Sequence, residues 1–161
     1  VIARYRVLAS RMRDEVASLD SSAEAIGRHW RRFKSVRSDQ DAYLNSVAFG
    51  LQSFYSGIER VLELVAEEMD GGTLGGESWH AELLRQMATD VTGVRPRVLQ
   101  RTGADWLDEC REFLQGDEAR NIYATNLVPD RVEPLVVGLT EGWPQVRRDL
   151  IAFAEFLDSV G

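Results

Sequence analysis

The chain is short of the residues that mark most kinds of active site. Its single cysteine, Cys110, has no second cysteine for an internal disulfide or a shared metal, which leaves the role of a small buried hydrophobe. Only two histidines are present, His29 and His80, and neither follows an arginine by four to six residues. No apolar run approaches the roughly 18 residues that cross a bilayer, and the opening VIARYRVLASRMRDE is charged and unlike a secretory signal. The expectation is a cytoplasmic protein with no membrane segment. The glycine-rich GGTLGG lacks the lysine of a phosphate-binding loop and follows no strand, so it reads as a connector. Nothing repeats internally, no segment is of low complexity, and no strand is needed anywhere.

What is present suits one domain over residues 1–161, since 44% hydrophobic residues fill a single core at this length. The net charge of -7 argues against a general nucleic-acid binder, but it is unevenly spread. Residues 1–37 hold nine Lys or Arg against four Asp or Glu, a balance of +5 that leaves -12 for the rest. Within them RHWRRFKSVR sets Arg28, Arg31, Arg32, Lys34 and Arg37 around Trp30 and Phe33. Such a stripe is a candidate RNA contact. The plainer account is a helix C-terminus whose cations complement the dipole while the aromatics face the core.

From Tyr5, the residues Leu8, Met12, Val16, Leu19, Ala23, Ile26, Trp30 and Phe33 recur at steps of three or four, predicting an amphipathic helix of about eight turns. Ser38 and Asp41 have capping-box spacing, and Leu44, Val47, Leu51, Phe54, Ile58, Val61, Val65 and Met69 then mark a second helix that Gly71 and Gly72 end. Joined by a short polar turn, the two must lie antiparallel, as in an up-and-down helical bundle. Trp79, Leu83, Leu84 and Met87 predict a shorter helix; Thr102 and Asp105 predict the cap of another, running through Trp106, Cys110, Phe113 and Leu114. Gly116 suits a break with Asp117 as the new cap. Pro129 opens a helix through Leu139, and Pro144 opens a last one through Val160. The fold class is therefore all-α, with additional shorter helices beside the long pair.

The stretch EFLQGDEARNIYATNL, from Glu112 to Leu127, has the spacing of a known motif. It resembles the Arg-x4-His-x-Tyr motif of the HepT-like toxins, members of the HEPN superfamily of helical ribonucleases. Tyr123 stands at the motif tyrosine, Asn121 at the histidine position, Gly116 at the arginine position, and Asp117 at the polar residue beside it. FYSGIER (Phe54 to Arg60) resembles the second helix of that family, and GGESWHAELLRQM (Gly75 to Met87) its glycine-rich loop and Trp-His helix. Asn126 to Leu157 resembles its proline-containing closing segment. The resemblance spans about residues 40–160. It implies a HEPN-like bundle, a homodimer, and a small nucleotidyltransferase (MNT) partner acting as antitoxin, which in some pairs adenylylates the tyrosine that looks like Tyr123 here.

Metal-independent RNA cleavage needs a base near neutrality for the 2′-hydroxyl and a fixed cation for the phosphorane oxygens. The amide of Asn121 has no usable pKa and Gly116 has no side chain. On a regular helix Arg120 and Tyr123 lie near the face of Gly116, with Asp117 and Asn121 beside it. Two such faces meeting across a twofold axis would line one cleft. The first expectation is thus a toxin-side component of a toxin-antitoxin or defence pair whose motif has decayed, acting by dimerisation and partner binding. A working ribonuclease using Arg120 and Tyr123, with Asp117 or an outside histidine as base, stays open, as does a purely structural assembly module. His80, in the first turn of a helix beside Trp79, suits a structural hydrogen bond better than catalysis, and His29 suits a solvent-facing position. Glu59, Glu63, Glu67 and Glu68 read as a solvated face, because the Glu-x-x-His repeat of a bundle metal site is missing. No metal or cofactor is expected.

Overall fold

α1 (Ile2–Ser35) and α2 (Gln40–Val65) repeat apolar side chains at the three- and four-residue steps that keep one helical face apolar. In the computed structural model, which describes residues 2–73, 75–115 and 127–161, those faces meet. Leu8, Met12, Val16, Leu19, Ile26 and Trp30 of α1 are buried, as are Leu44, Val47, Leu51, Phe54, Ile58, Val61 and Val65 of α2. Arg4 pairs with Glu68, so the start of α1 lies beside the end of α2, and the two run antiparallel.

The predicted cap of α2 is absent. The helix begins at Gln40, no side chain caps it, and Asp39 takes a left-handed conformation (φ 60°, ψ 25°). Aspartate tolerates that region better than most residues, and it lets the chain reverse between Ser35 and Gln40. The Gln40 side chain instead donates 3.2 Å to the Phe33 carbonyl, serving the end of α1.

After Val65, α2 widens into a π turn, Ala66–Asp70, which Gly71 closes at φ 80° as the glycine pair predicts. The N–H groups of Gly71 and Gly72 both reach the Ala66 carbonyl. α3 (Trp79–Met87) then lays Leu83, Leu84 and Met87 on the core. Among the described residues no strand forms; an isolated bridge joins Val91 and Arg95 in the connection to α4.

α4 (Arg101–Gln115) starts before the predicted cap, leaving Thr102 inside its first turn. The reason is tertiary. The Gln100 N–H donates 2.9 Å to Oδ2 of Asp149, and the Gln100 carbonyl accepts the Ala104 N–H, so a distant carboxylate does the capping.

α5 (Pro129–Val160) is one helix where two were predicted, with Pro134 and Pro144 inside it. Pro144 removes one backbone donor. The helix continues because Val132, Val136, Leu139, Trp143, Val146, Leu150, Phe153 and Leu157 keep an unbroken apolar seam on the core through the proline. Arg13 with Asp158 (2.6 Å) and Arg147 with Asp20 (2.9 Å) set α5 antiparallel to α1. The long helices α1, α2 and α5 thus form an up-and-down bundle, and α3 and α4 pack on its α2 and α5 side.

Candidate functional site

α2, α3 and α4 converge on a polar cluster. Glu59 follows Tyr55 by one turn on α2 and faces the interior, with 5% of its surface exposed. A carboxylate so placed is costly unless partnered. His80, in the first turn of α3, meets it: Nδ1 of the imidazole is hydrogen-bonded to Oε2 of Glu59. The imidazole is 30% exposed, and the Trp79 ring lies over it at 3.6 Å between centroids. The solvated acidic face expected on α2 is therefore wrong at its first member. Glu67 is exposed, while Glu68 is half-buried and paired with Arg4. Glu63 is half-buried, and burial, then Glu59 and Glu67, hold its carboxyl above the usual range.

One turn before Glu59, the Tyr55 hydroxyl is buried without a hydrogen-bond partner among the described residues. Burial first, and then the Glu59 charge, push its ionisation upward, so it is no phenolate at neutral pH. Cys110 of α4 is buried beside it, and burial pushes the thiol up to about 12, which fits the role of a small hydrophobe. Arg111, also on α4, is held at 2.8 Å by Asp108. α2, α3 and α4 thus bring an imidazole-carboxylate pair, a buried phenol and a half-buried guanidinium to one junction.

A second buried polar group secures the far end of α2. Arg95, whose side chain is fully buried, donates from Nε and from a terminal nitrogen to the two oxygens of Asp70, at 2.7 and 2.6 Å. Its remaining donors reach the carbonyls of Thr89, Pro96 and Gln86. Gln86 also donates 2.7 Å to Asp70. Burial alone would raise the Asp70 carboxyl, but the bonds from Arg95 and Gln86 outweigh it and hold it low. This arrangement is a structural clamp between the π turn and the loop after α3. Neither buried pair is legible in the sequence, because the members lie 21 and 25 residues apart. One signal was available: Glu59 falls four residues after Tyr55, within the buried periodicity of α2.

Arg28, Arg31, Arg32, Lys34 and Arg37 are all exposed at the end of α1, as either reading of the basic stripe requires. Lys34 lies 5.9 Å from the Trp30 ring, and Arg32 lies 5.9 Å from that of Tyr43. Trp30 is buried and stacks on the half-buried Phe33 at 5.2 Å, so the aromatics belong to the core side. Arg28 and Arg31 border a groove of about 430 Å³ between α1 and α5, floored by Val136, Leu139 and Trp143. His29 is half-buried, where a solvent-facing position was expected. Gly116, Asp117, Arg120, Asn121 and Tyr123 lie outside the described residues, as does the helix break expected at Gly116. Among the described residues no group of three His, Cys, Asp or Glu side chains is arranged to hold a metal ion, and no helix is long and apolar enough to cross a membrane.

Residues 46–157 match a family model whose description is HepT-like protein. No curated protein and no solved structure matches the chain.

Proposed function

The chain belongs to the HepT-like family, the match running from the second turn of α2 almost to the end of α5, and on that premise we propose that it is the toxin-side component of a toxin-antitoxin or defence pair. It acts by forming a homodimer and holding a nucleotidyltransferase of the MNT type, with Tyr123 the residue that partner adenylylates. The observation carrying this reading is the altered motif within a family-wide match. Asn121 stands where a base is needed, and Gly116 where a cation is needed. Binding survives the loss of both; cleavage through the motif does not. The test is co-expression with an MNT-type nucleotidyltransferase, followed by mass spectrometry. A co-purified partner and a nucleotidylated Tyr123 are expected. An unmodified Tyr123 and no retained partner would leave only an assembly role.

One observation favours a working ribonuclease as the second reading. His80 is partly exposed and tied through one ring nitrogen to a buried carboxylate, the arrangement that orients an imidazole for proton transfer. In this reading His80 supplies the base that Asn121 cannot, while Arg120 binds phosphate and Asp117 and Tyr123 assist. Incubation with a tRNA or mRNA pool separates the two readings. Cleavage that disappears in both Arg120→Ala and His80→Gln supports the enzyme, and an intact pool supports the decayed site.

A further inference from the structure

α2 has an outward face that differs from the rest of the surface. Residues 42–58 contain no charged side chain, in a chain that is 28% charged. Asn45, Ser46, Phe49, Gln52, Ser53 and Ser56 fall at the three- and four-residue steps of one helical stripe, away from the buried face of α2. Phe49 stands at the middle of this stripe and is 71% exposed, the most of any large hydrophobic side chain described. An exposed aromatic set in an uncharged stripe is what the centre of a protein interface looks like before it closes.

The ends of the stripe identify the occupant. Asp41 lies at its start and Arg60 at its finish; both are exposed, and neither is in an ion pair with a described residue. They are equidistant from the point between Phe49 and Gln52. We infer that a second copy of this chain packs on the face, α2 against α2 in antiparallel orientation, about a twofold axis passing between Phe49 and Gln52. That axis sets Asp41 of each copy opposite Arg60 of the other, at the ends of a stripe of about 28 Å. It lays each Phe49 over Gln52 of the facing helix. Two copies carrying -7 each repel at a distance, so they approach at least cost where neither presents like charges.

The inference rests on the dimer of the proposed function and specifies its face. Its test is the oligomeric state of the full chain by sedimentation velocity over a range of concentrations. The wild type is expected to dimerise. Phe49→Glu raises the dissociation constant by about 30-fold or more, the scale of losing a central anchor. Val7→Glu, at another exposed apolar residue on α1, leaves it unchanged. Asp41→Arg and Arg60→Asp each weaken the dimer by placing like charges at both ends, and the double exchange restores it. Circular dichroism checks that each variant keeps its helices. A monomeric wild type, a dimer indifferent to Phe49→Glu, or a double exchange that fails to restore association overturns the pairing. A dimer indifferent to these changes sinks this face alone, whereas a monomeric wild type sinks the homodimer of the proposed function with it, and a Tyr123 modification in that monomer leaves only the partner reading.

Discussion

The Arg95 guanidinium and the Asp70 carboxylate are joined by two parallel hydrogen bonds of 2.7 and 2.6 Å, from a side chain with no exposed surface to the last residue of the π turn. Truncating the acid leaves a buried cation whose strongest partner is gone. Asp70→Ala is therefore expected to destabilise the chain by about 3 kcal/mol in urea denaturation. The folded Asp70 carboxyl titrates below its ordinary value of 3.8, so its contribution is complete above that value and is lost as the pH falls through the lower folded one. The stability gap between the wild type and Asp70→Asn should hold steady from neutral pH to mild acid and close only below 3.8.

The buried Tyr55 hydroxyl, having no partner among the described residues, costs desolvation without return. Tyr55→Phe is expected to be neutral or to stabilise by up to about 1 kcal/mol. A chemical denaturation midpoint that falls sharply at an unchanged slope would show that the hydroxyl is bonded after all.

Trp106 of α4 lies in a notch made by Gly138 and Gly142 of α5. A Cβ added at Gly142 would stand 2.5 Å from Cδ2 of the indole. Alanine in a helix interior ordinarily gains about 1 kcal/mol over glycine. Here the sign reverses, and Gly142→Ala should cost about 1–3 kcal/mol. In a Trp106→Leu background the same substitution should cost much less, which a double-mutant cycle in urea measures.

Glu63 carries a raised carboxyl, so the folded chain binds its proton more tightly than the unfolded chain does. Stability from this group is present below the unfolded value of 4.5 and is lost as the pH rises through the higher folded one. Glu63→Gln should stabilise the chain at neutral pH, with the advantage vanishing in acid. Thermal melts of both forms at pH 4 and pH 7 check this; an advantage that grows in acid would contradict the assigned direction.

Helix identity was legible wherever apolar periodicity was long. The steps through α1 from Tyr5 to Phe33 and through α2 and its π turn from Leu44 to Met69 mark the buried faces, because burying one stripe of a helix needs nothing beyond its own sequence. Boundaries were less legible. Ser38, Thr102 and Pro144 all carry local signals for a helix end, and each was overridden: by Asp39 in a left-handed turn, by Asp149 reaching Gln100, and by the continuous seam of α5. A cap contributes about 1 kcal/mol and an interior proline costs about 3 kcal/mol, and a packed face outweighs both. The candidate site divides the same way. The motif positions Asn121 and Gly116 were read by spacing alone, whereas Glu59 was read as solvated because nothing near it in the chain predicts His80.

The sequence by itself determined the helical class, the faces that pack, and the family, because periodicity and motif spacing are properties of a chain taken locally. The tertiary structure decided which polar groups went inside. Glu59 became the partner of His80 and Asp70 that of Arg95 only when α3 and the loop after it closed on α2. A buried charge is tolerated only against a specific opposite group, and which group arrives depends on the fold as a whole.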